Sequence, residues 1–106
     1  MKVAIAQEMR ELDRRAMEEF SYPGLLLMEH AALALFNRIR ERFNPEKVAI
    51  ICGKGNNAGD GWALARLLKL SGVAVKVFSP REGIELPSDA ETNRRAACSL
   101  GLKEQP

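Results

Sequence analysis

Two cysteines, one histidine, one tryptophan and one tyrosine are all that 106 residues offer of these side chains, and each scarcity closes off a class of protein. Cys52 and Cys98 stand far apart, outside any Cys-x-x-Cys or Cys/His cluster. Neither a disulfide framework nor a zinc site is suggested, and a reducing, cytoplasmic compartment fits best. Nowhere do about eighteen apolar residues run together, and Met1 to Ala6 is too short for the apolar core of a signal peptide. A soluble chain without a membrane partner is expected. Excess charge is missing as well: sixteen Lys and Arg against fourteen Asp and Glu leave +2, too little for the basic stripe that general nucleic-acid binding needs. What remains is an ordinary globular balance, 46% hydrophobic and 28% charged, which predicts one folded domain over residues 1–106.

Hydrophobic spacing places the elements. Met9, Leu12, Ala16 and Phe20 recur at intervals of three and four, which predicts a helix over Gln7 to Phe20. After Ser21-Tyr22-Pro23-Gly24, the residues Leu25, Met28, Ala32, Leu35, Ile39 and Phe43 continue that spacing as a second helix, stopped at Asn44-Pro45. Lys47 to Cys52 is a short, mostly apolar run entering a glycine-rich loop, as expected of a parallel strand buried on both faces. A helix over Asn57 to Ser71, with Leu64, Leu67 and Leu68 inward, ends at Gly72 and leads to a second strand, Val73 to Phe78. Ser88 with Glu91 three residues later reads as a capping box for a last helix through about Leu100. The expected class is α/β: a Rossmann-like three-layer α/β/α arrangement with a partial parallel sheet of two clear strands and about four helices. Two strands leave unpaired edges, and Val3 to Ile5 is a candidate short edge strand.

The chemistry concentrates in Gly53-Lys54-Gly55-Asn56-Asn57-Ala58-Gly59-Asp60-Gly61. A strand that turns through glycines straight into a helix presents backbone N–H groups at the positive end of the helix dipole, a ready site for an anion or polar ligand. Gly53, Gly55 and Ala58 satisfy the loose dinucleotide pattern in the required strand-to-helix context. The acidic residue that an ordinary dehydrogenase carries about twenty residues later is replaced by Phe78 and Ser79, and no Gly-Lys-Ser/Thr closes the loop as in a P-loop. Asn56, Asn57 and Asp60 instead bring amide and carboxylate oxygens, hard donors suited to a cation or to ribose and amide groups. The same residues also read as helix-terminus chemistry, Asn57 as an N-cap and Asp60 as a first-turn acid.

This nonapeptide resembles the signature loop of the YjeF N-terminal domain family, the NAD(P)H-hydrate epimerases. Met9-Arg10-Glu11-Leu12-Asp13-Arg14-Arg15-Ala16 resembles the family's opening helix, Pro23-Gly24-Leu25-Leu26-Leu27-Met28-Glu29 its second, and Lys47 to Arg66 matches closely. Asp89-Ala90 with Asn93 is similar to its next helix. The resemblance implies a Rossmann-like fold that binds hydrated NADH or NADPH and epimerises the hydrated carbon of the damaged nicotinamide. It implies that Asn56, Asn57, Ala58, Gly59 and Asp60 contact the hydrated dinucleotide and that Asn57 also ligates a potassium ion. It also implies a fused or accompanying dehydratase. His30-Ala31-Ala32 stands where the family commonly shows Asn-Ala-Gly, and Ala58 replaces a common Gly. The family domain runs well beyond this length, so the chain corresponds to its first half, and the catalytic acid or base is not assigned.

Other residues have plainer readings. His30 reads as a helix-surface or packing residue, Cys52 as small buried filler, Trp62 as packing rather than a stacking platform, and Lys54 as a solvated loop lysine. Arg38, Arg40, Arg42 and Lys47 read as a solvated face. The functional expectation is an NAD(P)H-hydrate epimerase-type module. The alternatives are a non-catalytic dimerisation or binding module and an isolated half-domain whose edges pair in a homo-oligomer.

Overall fold

The computed structural model describes residues 11, 12, 14, 15, 18, 23–53, 56–79 and 85–105, the side chains of Asn56 and Asn57 excepted. Glu11, Leu12, Arg14, Arg15 and Glu18 are helical, as the spacing over Gln7 to Phe20 predicts. The rest of that helix and the candidate strand Val3 to Ile5 lie outside the described residues.

Helix α1, Gly24–Arg42, is rich in Leu, Ala and Arg, all strong helix formers. Met28 and Ala32 are buried on it, and Phe36 and Ile39 continue the same stripe against the core. The helix ends because Phe43 and Asn44 both donate their N–H to the Ile39 carbonyl, at 2.9 and 3.1 Å. Asn44 takes a left-handed φ of 41°, which Asn tolerates better than most side chains. Pro45, lacking an N–H, cannot extend the helix.

Strand β1, Lys47–Ile51, leads through Cys52 and Gly53 to helix α2, Asn56–Leu70, and then to strand β2, Ala74–Phe78. Gly72, at φ 92°, reverses the chain after α2, a conformation only glycine adopts without penalty. Val73 there donates to the Leu68 carbonyl at 3.0 Å. Helix α3, Ser88–Ser99, follows, and a turn through Gly101 at φ 94° brings strand β3, Glu104–Gln105, alongside β2. The sheet is parallel in the order β1-β2-β3, with Lys47 opposite Ala74, Ile51 opposite Phe78, and Phe78 opposite Gln105. This is a partial Rossmann-like α/β fold.

Three expectations change. β3 escapes the pattern because two residues, Glu and Gln, have neither length nor β propensity to announce a strand. The Ser88/Glu91 capping box does not form: Pro87 is the N-cap and no side chain caps the helix. Glu91 is instead taken by Arg94 and Arg95 of its own helix. Finally, β1 is buried on one face only. Ile50 and Val77 point inward, whereas Ile51 is 81% exposed and Lys47, Ala49, Ala74 and Lys76 share its open face. Among the described residues, α2 lies on the inward face and α1 and α3 pack against α2.

That arrangement makes α2 the hub of the molecule. Ala58, Trp62, Ala63, Ala65 and Leu68 on it are fully enclosed, where small side chains let neighbouring elements approach and Trp62 fills the remaining volume. Leu64 is buried as expected and Leu67 is half-buried. No helix of the described residues is long and apolar enough to cross a membrane.

The α3 ion pairs carry a pH dependence. Arg94 donates through Nε and Nη2 to Glu91 at 2.6 and 2.7 Å, and chiefly these hydrogen bonds hold the Glu91 carboxyl at about 2, below its ordinary 4.5. A carboxylate with a depressed folded pKa contributes stability above its unfolded pKa and loses it as pH falls toward the folded one. The melting-temperature gap between wild type and Glu91→Gln at neutral pH is therefore expected to narrow between pH 4.5 and about 2. A gap that stays constant across that window would contradict this assignment.

Candidate nucleotide-binding site

The carboxyl ends of the three strands lie side by side. Beyond β1, the Cys52 N–H donates to the Phe78 carbonyl at 2.8 Å, and beyond β2 the Ser79 N–H donates to the Gln105 carbonyl at 2.7 Å. The glycine loop leaves this edge from β1, and α2 begins directly after it with Asn56. In open α/β sheets, ligands bind beyond the carboxyl ends of the strands, and here the amino-terminal, positive dipole end of α2 borders that edge.

Asn56 and Asn57 are the first two residues of α2. Ala58 is wholly buried. Gly59 is buried and Asp60 half-buried. Lys54 and Gly55 lie outside the described residues. The loop thus places Asn56 to Asp60 in one helical turn at the sheet edge.

Two glycines of this segment are required by close approach. A Cβ on Gly61 would stand 2.7 Å from Cys52 Sγ and 3.4 Å from Ile50 Cγ2, so Gly61 lets α2 rest against the end of β1. A Cβ on Gly59 would stand 2.5 Å from Met28 Cε, 2.6 Å from Met28 Sδ and 2.9 Å from the Ala90 Cα. Gly59 is therefore where α1, α2 and α3 meet. Close by, Asn93 is buried, with Nδ2 donating to Met28 Sδ at 3.0 Å and to the Asp89 carbonyl at 3.4 Å. Glu29, next to Met28, pairs with Arg66 across α1 and α2.

The remaining candidates resolve as packing or surface. Trp62 is fully enclosed and its indole N–H has no hydrogen-bond partner, so it fills the core and offers no stacking face. Cys52 is 1% exposed, and neither it nor Cys98 is in a disulfide. His30 is exposed on α1, and Arg38, Arg40, Arg42 and Lys47 are exposed too, with the Arg40 guanidinium 5.6 Å from the Phe36 ring centroid. Ser79, where a dehydrogenase carries its acid, is buried and its hydroxyl has no partner. Sequence reasoning placed Met28 on an apolar helix stripe and Asn93 in the family resemblance, but gave neither a part in the site. The available signal was an Asn in the otherwise small apolar row Ala90, Asn93, Ala97, all three buried.

Comparison with known proteins agrees with this geometry. The chain is 41% identical over 99 residues to a protein of Rhodopirellula baltica named NAD(P)H-hydrate epimerase, covering 93% of this chain and 41% of that one. It is 36% identical over 105 residues to a Limosilactobacillus reuteri protein of the same name, covering 97% of this chain and 50% of the relative. A bifunctional NAD(P)H-hydrate repair enzyme Nnr of Moorella thermoacetica is 38% identical over 107 residues, with 97% of this chain and 20% of that protein covered. The chain thus spans at most half the length of these relatives. A crystal structure of yeast ynu0, YNL200c, superposes on 99% of this chain and 47% of its own length, with TM-score 0.76 at 24% identity, and supports the fold. The family model described as YjeF-related protein N-terminus matches residues 24–106, and the chain belongs to that family.

Proposed function

We propose that this chain provides the dinucleotide-holding half of an NAD(P)H-hydrate epimerase site, acting in repair of hydrated NADH and NADPH. The observation that carries the reading is the turn from β1 into α2, with Asn56 to Asp60 gathered at the carboxyl edge of a parallel sheet, in a chain whose relatives bear that name. In this reading the first-turn N–H groups of α2 receive the anionic part of the dinucleotide, while Asn56, Asn57 and Asp60 engage its polar groups. Asn57 also ligates potassium in this reading: its amide oxygen, with the Asp60 carboxylate three residues on in sequence, is a hard donor type that suits an alkali cation, and the ion would supply positive charge next to the bound substrate. The further length of the relatives, and the second activity of the bifunctional ones, support a partner segment or dehydratase domain, and cysteines outside any disulfide suit a reducing, cytoplasmic setting. The open face of β1 and β2, with Ile51 81% exposed, favours a second reading in which the chain self-associates.

Titration with hydrated NADPH in potassium and then sodium buffer, followed by heat, tests the first reading. Potassium-dependent binding, weakened about tenfold or more by Asn57→Ala through loss of a ligand and its hydrogen bonds, is the expected outcome. Absence of binding in both salts would overturn it, and a dimeric mass in solution would then favour self-association.

A further inference from the structure

We infer that Asn93 and Met28 are positioning residues that fix the first turn of α2, and through it the Asn56 to Asp60 segment, for ligand binding; this rests on the nucleotide-site reading above. A buried amide is costly unless hydrogen-bonded, and an apolar side chain would fill such a site without that cost. Asn93 nevertheless sits at 5% exposure between the buried Ala90 and Ala97, spending its Nδ2 on Met28 Sδ at 3.0 Å. Methionine has three rotatable bonds and a soft sulfur, so an untethered Met takes several positions in a core. The Asn93 donor selects one of them, and that one lies against Gly59: a Cβ there would meet Met28 Cε at 2.5 Å and Sδ at 2.6 Å.

The contacts therefore form a relay from α3 through α1 to α2. Asn93 holds Met28, Met28 presses on Gly59, and the Ala90 backbone closes on Gly59 from the other side, 2.9 Å from where a Cβ would stand. Gly59 is one residue before Asp60 and two after Asn57, so this pressure bears on the first turn of α2, which follows β1 at the carboxyl edge of the sheet. Binding groups need support from a second layer to within about half an ångström, and the ion pair between Glu29 and Arg66 anchors the same two helices along their length. A purely structural role would call for stability alone. A positioning role makes the first turn, and not the far end of α2, depend on the Asn93 amide.

The test uses the full chain with Asn93→Leu, which removes the amide at similar volume, and Met28→Leu, which removes the sulfur acceptor together with the thioether end that lies against Gly59. Two readouts are taken: amide hydrogen exchange without ligand, and affinity for hydrated NADPH. Exchange at Asp60 and Gly61, the amides that close the first turn, is expected to quicken about tenfold in both variants while Ala65 to Leu68 exchange as in wild type. Affinity is expected to fall about tenfold in each single variant and no further in the double variant, because one relay is broken either way. Should Asn93→Leu fail to fold, Met28→Leu carries both readouts. Additive losses, or unchanged exchange at Asp60 and Gly61 in a folded variant, would overturn the inference. If the wild-type chain itself does not bind hydrated NADPH, the function reading fails alone, and the exchange data still decide whether Asn93 fixes the turn.

Discussion

Trp62→Ala is expected to lower the melting temperature by roughly 15–30 °C and to leave a substantial unfolded fraction at room temperature. Trp62 is the largest fully enclosed side chain, sits near the middle of the hub helix α2, and is packed within the cluster that includes Ile50, Cys52, Leu68, Val77 and Ala97. Deleting an aromatic side chain from a core costs about 3–5 kcal/mol, a large share of the ~5–15 kcal/mol that a domain of this size commands. The neighbours cannot collapse into the space, because they belong to a strand pair on one side and to α3 on the other. Trp62→Phe separates volume from polarity. The indole N–H is buried without a partner, so the smaller ring loses some packing while removing an unsatisfied donor worth about 1–3 kcal/mol. Its stability is expected to stay within about 1.5 kcal/mol of wild type. Thermal denaturation followed by circular dichroism reads both, and an alanine variant melting within a few degrees of wild type would remove Trp62 from its place in the core.

Gly59→Ala sets helix propensity against packing, and packing is expected to win. In a solvent-exposed helix this change stabilises by about 1 kcal/mol. Here the new methyl would lie 2.5 Å from Met28 Cε and 2.9 Å from the Ala90 Cα. The methionine end can swing aside, but the Ala90 backbone moves only if α3 moves with it. Overpacking of this kind costs about 1–3 kcal/mol before the displaced Met28 gives up its Asn93 hydrogen bond, so a net loss of ~2 kcal/mol is expected. Gly53→Ala is the internal control: nothing lies within 4 Å of its Cβ position, and a near-neutral effect is expected. Chemical denaturation of the two variants side by side checks the pair. A stabilised Gly59→Ala would mean that the three-helix junction is looser than its distances.

The elements that carry hydrophobic periodicity were legible from the residues. Leu25, Met28, Ala32, Leu35, Ile39 and Phe43 announce α1, although Leu25, Leu35 and Phe43 are exposed and Phe36 packs on the core instead; the run from Lys47 announces β1, and Gly72 marks the reversal before β2. The loop was legible because glycine-rich strand-to-helix turns have few other uses, and the resemblance of its nine residues to one family is specific. What sequence could not show is set by tertiary geometry. β3 exists because Gly101 turns Leu102 into the core and delivers Glu104 to the edge of β2, not because Glu-Gln prefers to be extended. The Ser88 capping box lost to stronger partners, since Arg94 offers Glu91 two charge-assisted hydrogen bonds where the helix terminus offers one neutral N–H. The meeting of Met28, Gly59 and Asn93 joins residues up to 65 positions apart, a separation no local pattern encodes.

The open face of the sheet has a consequence for how the protein behaves at high concentration. Along it, Lys47 faces Ala74 and Ala49 faces Lys76 in the strand register, so the two ammonium groups stand on a diagonal with Ile51 at the end of the row. Two such faces meeting would bury apolar area and at the same time crowd four like charges together. The repulsion is screened as ionic strength rises, with a Debye length of about 10 Å at 0.1 M salt shrinking to about 3 Å at 1 M, whereas the apolar attraction is not. These lysines therefore act as colloidal gatekeepers: the sheet face stays apart in dilute salt and becomes adhesive in concentrated salt.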